Sequence, residues 1–562
     1  MKYKILHERK EYTNVRDLIE DVAELYGEKT AFSYRVKPSD KDKVEKSYIT
    51  LRDDVRALST EIIARGLAGK HICLIGKLSY EWVVVYYSAL ATGSVLVPLD
   101  RDWTAPELAD TVKKADAAWI FTEADIKDKC AEVATEANLS VPTSLSGDSE
   151  DVLSAWIAAG KAKLDSGDKS YFETEIDREV LALLVFTSGT TGKGKGVMLS
   201  QKNILSDMAD VLPFIDFSDK SVGVLPPHHT YGSSVTVLGQ TCIGCEVYIS
   251  SGIRYVAKEL KQEHPGHLVL VPLYLETFYR KIMAGIKEKG KEKTVKRMMK
   301  LCNVLHLGRG IRKKLFASIL ENFGGEVKMI ISGGAPISAE IMDFFSGLGI
   351  DVLNGYGITE CAPIIAVNHN NFVTKGSVGP VLPIDDVKIV DPNEDGEGEI
   401  IVKGDNVMLG YYKDEEATKE AFTDDGYFKT GDYGKLDKNN VLFITGRKKN
   451  LIILSNGKNV YPEEIESELI AIPGVIDAIV YEGQSKRGLM YNTIVAEIFP
   501  DKDFIEKNGI EDIKKHLQGY IDAYNRTAVA YKKIGILKVR DEEFPKNTLR
   551  KIQRFKLDMS ID

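Results

Sequence analysis

The 562-residue sequence predicts an α/β protein: a large, multi-layered N-terminal domain with mostly parallel sheets, followed by a small α+β C-terminal domain. Two features lead there. From about residue 14 to 400, helical apolar periodicity alternates with short apolar runs, the order that builds parallel sheets through βαβ units. After Asp437-Lys438-Asn439-Asn440 the style changes, and GRKKNLIILSNGKNVYPEEIESEL reads as a connection entering a smaller mixed unit. The expected domains are 1–447 and 448–562. No fixed-period repeat or long Ser/Pro linker interrupts the chain.

The elements justify this reading in order. MKYKILHERKEYTN has no apolar core and no small-residue cleavage site, so no secretory leader is expected. VRDLIEDVAELYG forms an amphipathic helix closing on Gly27. HICLIG, SVLVPLD and AAWIFTE are short apolar strands between helical patterns. The uncharged run Trp82–Leu99 nearly reaches membrane-spanning length. Gly93 and Pro98 lie inside it and Asp100 and Arg101 follow, so it reads as a core helix, a turn and a buried strand.

Composition sets limits on function. Hydrophobic residues at 44% and charged residues at 28% supply large cores and exclude a disordered or fibrous chain. A net charge of −9 argues against a general nucleic-acid binder. The six cysteines, at 73, 130, 242, 245, 302 and 361, are too few for a disulfide framework. Cys242 and Cys245 form an isolated C-x-x-C in an apolar stretch and read as core side chains, not half a zinc site. This usage fits a reducing, cytoplasmic compartment. The stretch between Ile286 and Cys302 is dense in Lys and Arg. It reads either as a solvated helix face or as a patch for anionic lipid or phosphate, which would put the protein at the inner face of a membrane.

The sharpest signal is LALLVFTSGTTGKGKGVMLS, residues 181–200. An apolar strand runs into a loop crowded with hydroxyls, glycines and lysines: Thr187, Ser188, Gly189, Thr190, Thr191, Gly192 and Lys195. Glycines let backbone N–H groups approach an anion, hydroxyls add donors and lysines add charge, a combination that grips a polyphosphate. Gly189 to Gly194-Lys195 has Walker A spacing, but Gly196 stands where the metal-binding hydroxyl belongs, and a strand pattern follows instead of a helix.

This loop resembles the signature of adenylate-forming enzymes: acyl- and aryl-CoA synthetases, luciferases and peptide-synthetase adenylation domains. Further motifs follow in that superfamily's order over roughly residues 15–560. Gly333-Gly334-Ala335-Pro336 ends a buried strand pattern, and Asn354-Gly355-Tyr356-Gly357-Ile358-Thr359-Glu360 follows another. Strand C-termini are where ligands sit in open α/β sheets. The resemblance implies an adenine site here, with Tyr356 stacking on the purine, Thr359 donating to a phosphate and Glu360 holding Mg2+. Asp432, in FKTGD, resembles the carboxylate that accepts both ribose hydroxyls, and Arg447, in TGR, a ribose or phosphate contact.

Leu225-Pro226-Pro227-His228-His229-Thr230-Tyr231-Gly232 resembles the superfamily's acid-pocket segment, with His229 near the reacting carboxylate. Together with the insertion at roughly 284–325, it looks most like the long-chain fatty acyl-CoA synthetase branch. No aspartate suited to an amino-acid ammonium is obvious in Ile331–Gly334. The implied reaction is ATP-dependent ligation of a fatty acid, long-chain before medium-chain, to coenzyme A. An aryl acid, an acyl-carrier-protein acceptor or a non-catalytic nucleotide-binding module are the alternatives.

The resemblance also implies a mobile C-terminal domain that serves the two half-reactions in two poses. Lys449 falls at the hinge, and Gly457 in the loop that lines the pantetheine tunnel. In FPKNTLRKIQR, Lys551 falls on the catalytic lysine, while Leu549 and Arg550 replace the usual hydroxyl and glycine.

Overall fold

A computed structural model describes residues 5–147, 151–187, 194–454, 459–484, 490–546 and 551–561. Its largest sheet has seven strands, in the order Gly410–Tyr411, Lys195–Ser200, Leu181–Thr187, Val95–Leu99, His71–Ile75, Ala117–Thr122 and Thr143–Ser144. The last five run parallel. Each is short and apolar because helices cover both faces of a parallel sheet; Val95–Leu99 is buried along its whole length. The segment expected as a core helix and strand is the helix Tyr80–Ala91 followed by Val95–Leu99. Among the described residues no helix is long and apolar enough to cross a membrane.

A second sheet aligns His267–Leu270, Met329–Ser332 and Asp351–Gly357 in parallel, with Ile364–Val367 antiparallel at one edge. A third joins Val44–Ser47, Thr30–Tyr34, Glu246–Ile249 and Lys220–Gly223.

The strand–helix alternation stops at Gly357, not near residue 400. Gly379–Pro380, Val441–Arg447, Phe428–Leu436, Gly398–Gly404 and Asp385–Val390 form a five-stranded antiparallel sheet. The short turns of this region, rich in Gly, Asp and Asn, suit antiparallel neighbours and leave no room for crossover helices.

A separate apolar core follows. Ile452, Val460, Ile465, Leu469, Val480, Ala496, Ile498, Leu517 and Ile521 pack together, whereas the three preceding cores use residues no later than Ile444. Strands Val475–Gln484, Met490–Pro500 and Ile534–Val539 form its sheet, flanked by helices Pro462–Ile470 and Ile513–Thr527. Arg280, on helix Pro272–Glu288, reaches across to donate to the Val475 carbonyl at 3.2 Å.

Two local results refine the sequence reading. The pattern after His229 is a nine-residue π-helix, Tyr231–Gly239, continued by the short helix Gln240–Cys242. π-Helical turns are rare and cluster at functional sites. Burial pushes the Cys242 thiol up to about 12 and the Cys245 thiol up as well, as expected of core side chains.

Candidate active site

The turns after two neighbouring parallel strands converge. Strand Met329–Ser332 opens into Gly333 and Gly334, the latter at φ +85°, a conformation that suits glycine. Ala335 and Pro336 continue that turn. A side-chain carbon on Gly333 would meet the Tyr231 ring at 3.1 Å, so the absent side chain makes room for the phenol. Tyr231 is held there by donation to Leu270 O and Ile331 O, at 3.2 and 3.3 Å.

Strand Asp351–Gly357 carries Asn354, Gly355, Tyr356 and Gly357 at its C-terminal end. A side-chain carbon on Gly357 would fall 1.9 Å from Pro363 O, so the returning chain packs directly on that glycine. The close approach is fixed by donation of Ile358 N to Pro363 O at 2.8 Å. The Asn354 Oδ1 is buried and has no donor, an orphaned acceptor at the strand end.

Asp432 lies at the centre. It is 3% exposed, accepts from the Tyr356 hydroxyl at 2.7 Å and pairs with Arg447 Nε at 3.0 Å. Asp432 and Arg447 face each other across antiparallel strands, so register alone creates the ion pair. The pair leaves each carboxylate oxygen with further acceptor capacity.

Thr359 and Glu360 sit on the short 3-10 turn Thr359–Cys361. Glu360 O accepts from Met408 N at 2.8 Å, and Glu360 Oε1 accepts from the Tyr411 hydroxyl at 3.0 Å. Burial pushes the Glu360 carboxyl above its ordinary range, against the pull of Tyr411 and Arg447. Lys195 stands over the Tyr411 ring, its Nζ 4.5 Å from the centroid. Tyr411 thus joins the phosphate-type loop to Glu360. Of that loop, Thr187 ends one strand and Lys195 begins the next; Ser188, Gly189, Thr190, Thr191 and Gly192 lie outside the described residues, as does Gly457.

The His228 and His229 rings are tilted at 45° to each other with centroids 4.3 Å apart, and His228 Nε2 lies 3.6 Å from Asp100 Oδ2. Burial, then His228 and Lys551, hold His229 well below its ordinary value, so it is neutral. That Lys551 influences His229 is itself informative, because 322 residues separate them in sequence.

Lys551 comes from the C-terminal unit yet feels Arg447, Asp432 and Lys449. Its side chain is exposed, and Arg447, Asp432 and Lys449 lie close enough to act on its charge. Crowding and the Arg447 charge push its amine down to about 8, against the opposing effect of Asp432. Lys449, on the turn Lys448–Asn450, is lowered by burial and by Arg447. Three cationic side chains therefore crowd around one carboxylate, an excess of positive charge that suits a polyanion.

The structure thus brings together Lys195, Tyr356, Glu360, Asp432, Arg447, Lys449, Lys551 and His229. Sequence reading missed Tyr411 and Asp100. Tyr411 pairs through its strand with Val197, and nothing near LGYY in the sequence signals that partner. Asp100 ends the strand Val95–Leu99, a position that favours function only once the sheet is known.

The family model described as AMP-binding enzyme matches residues 19–412. A long-chain-fatty-acid–CoA ligase, FadD15, of Mycobacterium bovis is 28% identical over 455 residues, 76% of this chain and 74% of that protein. A chloroplastic long-chain-fatty-acid–[acyl-carrier-protein] ligase, AEE15, of Arabidopsis thaliana is 27% identical over 588 residues, covering 91% and 79%. The crystal structure of ATP-bound MatB from Rhodopseudomonas palustris superimposes with a TM-score of 0.75 at 25% identity, over 96% of this chain and 97% of that one.

The crevice makes a direct prediction. Competitive amine labelling over a pH series should show Lys551 gaining reactivity around pH 8, about two units below ordinary lysines. Asp432→Asn removes the carboxylate that favours the ammonium, so the Lys551 midpoint should fall further. A midpoint at the ordinary lysine value would mean that Lys551 does not enter the crevice.

Proposed function

Because the chain belongs to the AMP-binding enzyme family, we propose that it ligates a fatty acid to coenzyme A through an acyl adenylate. The observation that carries this reading is Lys551, delivered by the C-terminal unit to the crevice that holds Asp432, Arg447 and His229. In the first half-reaction the acid's carboxylate attacks the α-phosphate of ATP and pyrophosphate leaves. In the second, the thiol attacks the adenylate and AMP leaves.

The residues divide this work. Gly333 to Pro336 and Asn354 to Gly357 form the adenine wall, with Asn354 Oδ1 available to the exocyclic amine and Tyr356 to the ring. Asp432 accepts from the ribose hydroxyls, a fitting task for a carboxylate with spare acceptor sites. Thr187 to Gly192, Lys195 and Thr359 hold the phosphates. Arg447 and Lys551 offset the charge that develops as the α-phosphate is attacked. His229, neutral and beside Tyr231, lines the acid pocket.

Magnesium fits at Glu360. One carboxylate beside a phosphate-type loop is the donor set of an ion that takes its other ligands from nucleotide oxygens and water. When bound, it would neutralise phosphate charge.

We place the domain boundary at Arg447/Lys448 and the hinge at Lys449, on the turn between the last strand of the antiparallel sheet and the separate C-terminal core. Gly457 would line the thiol tunnel. The names of the Mycobacterium and Arabidopsis relatives favour a long-chain acid; the first names coenzyme A as acceptor and the second a carrier protein, and coenzyme A is our first acceptor. An aryl acid is the second substrate class.

Pyrophosphate release over C2 to C18 and aromatic acids, with coenzyme A, tests the reading. Release should be greatest with long aliphatic acids. Acid-independent release, or none, would leave a nucleotide-binding module. Lys551→Ala should slow adenylation by roughly a hundred- to a thousandfold, the loss expected from one preorganised charged donor. It should still convert presynthesised acyl adenylate and coenzyme A to thioester.

The basic stretch supports peripheral contact with an anionic membrane. Lys289, Lys291, Lys293, Lys296, Arg297 and Lys300 are exposed, on or beside helix Glu292–Val304. Leu301, Val304 and Leu305 add exposed apolar surface at helical spacing, and Ile311 and Leu315 add more on the next helix. Basic charge with exposed aliphatic side chains suits a lipid interface. Vesicle binding should weaken steeply with salt, since each surface charge contributes about 1 kcal/mol. Binding unchanged from low to high salt would leave a solvated helix face.

A further inference from the structure

One helix of the large N-terminal region meets the C-terminal unit along a single stripe that the proposed chemistry does not use. On helix Pro272–Glu288, residues 276, 280 and 287 fall within about 40° of one another around the axis, at ~100° per residue. Arg280 Nη1 donates to Val475 O at 3.2 Å, and Lys287 Nζ donates to Asn508 Oδ1 at 3.3 Å. Glu276 Oε2 lies 3.7 Å from Arg280 Nη2, and the Glu276 side chain is largely buried. Burial raises the Glu276 carboxyl and Arg280 opposes this; Asp477 and Lys546 act on it from the C-terminal unit.

The residues on the far side of this contact support Lys551. Val475 and Asp477 begin strand Val475–Gln484. Lys546 donates to Asp477 Oδ2 at 2.6 Å and to Glu543 Oε1 at 2.8 Å, and its side chain is 6% exposed, deep for a lysine. Its backbone forms a β-bridge with Ile552, the residue after Lys551. Arg554 ties down the same segment, donating to Val480 O at 2.9 Å and pairing with Glu466. Lys551 is therefore fixed to the strand whose first carbonyl Arg280 grips. The helix itself begins directly after Val271, which ends strand His267–Leu270, and that strand lies parallel to Met329–Ser332 with its Gly333-Gly334 turn. One helix thus leads from the proposed adenine wall to the strand that carries the lysine segment.

We infer that Arg280, with Glu276 beside it, is a positioning residue that holds the C-terminal unit in the pose presenting Lys551 to Asp432, and that its bond to the Val475 carbonyl breaks when the unit leaves for the thiol half-reaction. The inference rests on the two-pose reading of the reaction. A guanidinium suits the task because it stays charged and can serve a carbonyl and a carboxylate at once. A strand carbonyl suits it as the acceptor, since its place is set by the sheet and not by a rotamer. The contacts along the stripe are polar. Polar groups regain hydrogen bonds from water when they part, so such a contact can open in every turnover at small net cost. Arg280 acts through Lys551 and not on the reacting atoms.

The test uses full-length Arg280→Met and Arg280→Lys, with Lys281→Met, exposed and off the stripe, as the control. Arg280→Met should lower kcat for acid-dependent pyrophosphate release roughly ten- to a hundredfold, the loss of one hydrogen bond from a charged donor. The KM for ATP should change little, because the lost contact does not bind nucleotide. Thioester formation from presynthesised acyl adenylate and coenzyme A should keep its wild-type rate. Arg280→Lys, which keeps a charged donor, should retain most of the adenylation rate. In the free protein, spin labels at the exposed Lys161 and Lys514 should show the wild-type distance losing population in Arg280→Met and keeping it in Lys281→Met. The inference fails if Arg280→Met adenylates at the wild-type rate, if both half-reactions fall alike, or if Lys281→Met does as much. If the wild type releases no pyrophosphate with any acid, the fatty-acid reading fails instead, and the distance decides alone: a population shift in Arg280→Met upholds the contact, and an unchanged distribution overturns it.

Discussion

The contact of Asp432 with Tyr356 on one side and Arg447 on the other ties the parts of this molecule together. Tyr356 ends a parallel strand of one sheet, and Asp432 and Arg447 lie opposite each other in the antiparallel sheet. Arg447 is also the last residue before the turn that leads into the C-terminal core. A carboxylate that is 3% exposed is costly to keep charged unless it is paired and hydrogen-bonded, and here it has both. Asp432 is buried while the Arg447 side chain is nearly half exposed, so the pair anchors the two sheets from the edge of the site.

The crevice built on that contact is electrostatically unbalanced. Arg447, Lys449 and Lys551 crowd near Asp432, and the two lysines are lowered by burial first and by Arg447 second. A polyanion's charges would relieve the repulsion among the three cations. Around the same charges, burial raises the Glu360 carboxyl and keeps His229 neutral.

Much of this was legible in the sequence because the proposed nucleotide site is made of contiguous strand ends. Residues 330–336, 354–360, 428–432 and 445–447 each carry their signal within a few positions, and parallel strands announce themselves as apolar runs. What escaped depends on pairing between distant segments. Tyr411 matters because its strand lies against Lys195–Ser200, and Asp100 because its strand end lies beside His228. The π-helix after His229 has the same small, apolar composition as an α-helix, and no periodicity over nine residues separates the two. The extent of the parallel architecture was overestimated because the period of two in the antiparallel sheet is short and broken by bulges. The register at Lys551 was read across Leu549 and Arg550, which lie outside the described residues; the proximity of Lys551 to Asp432 and Arg447 supports it independently.

The central claim is that the C-terminal unit brings Lys551 to Asp432 for one half-reaction and leaves for the other. Spin labels at the exposed positions Lys161 and Lys514, one in each unit, permit a direct distance measurement by pulsed electron resonance. The account predicts one dominant distance with ATP and acid, and a second when coenzyme A meets the bound adenylate. Lys449→Pro, which fixes φ at the hinge, should hold the protein near the first distance. A single distance that persists through both half-reactions while thioester accumulates would contradict it.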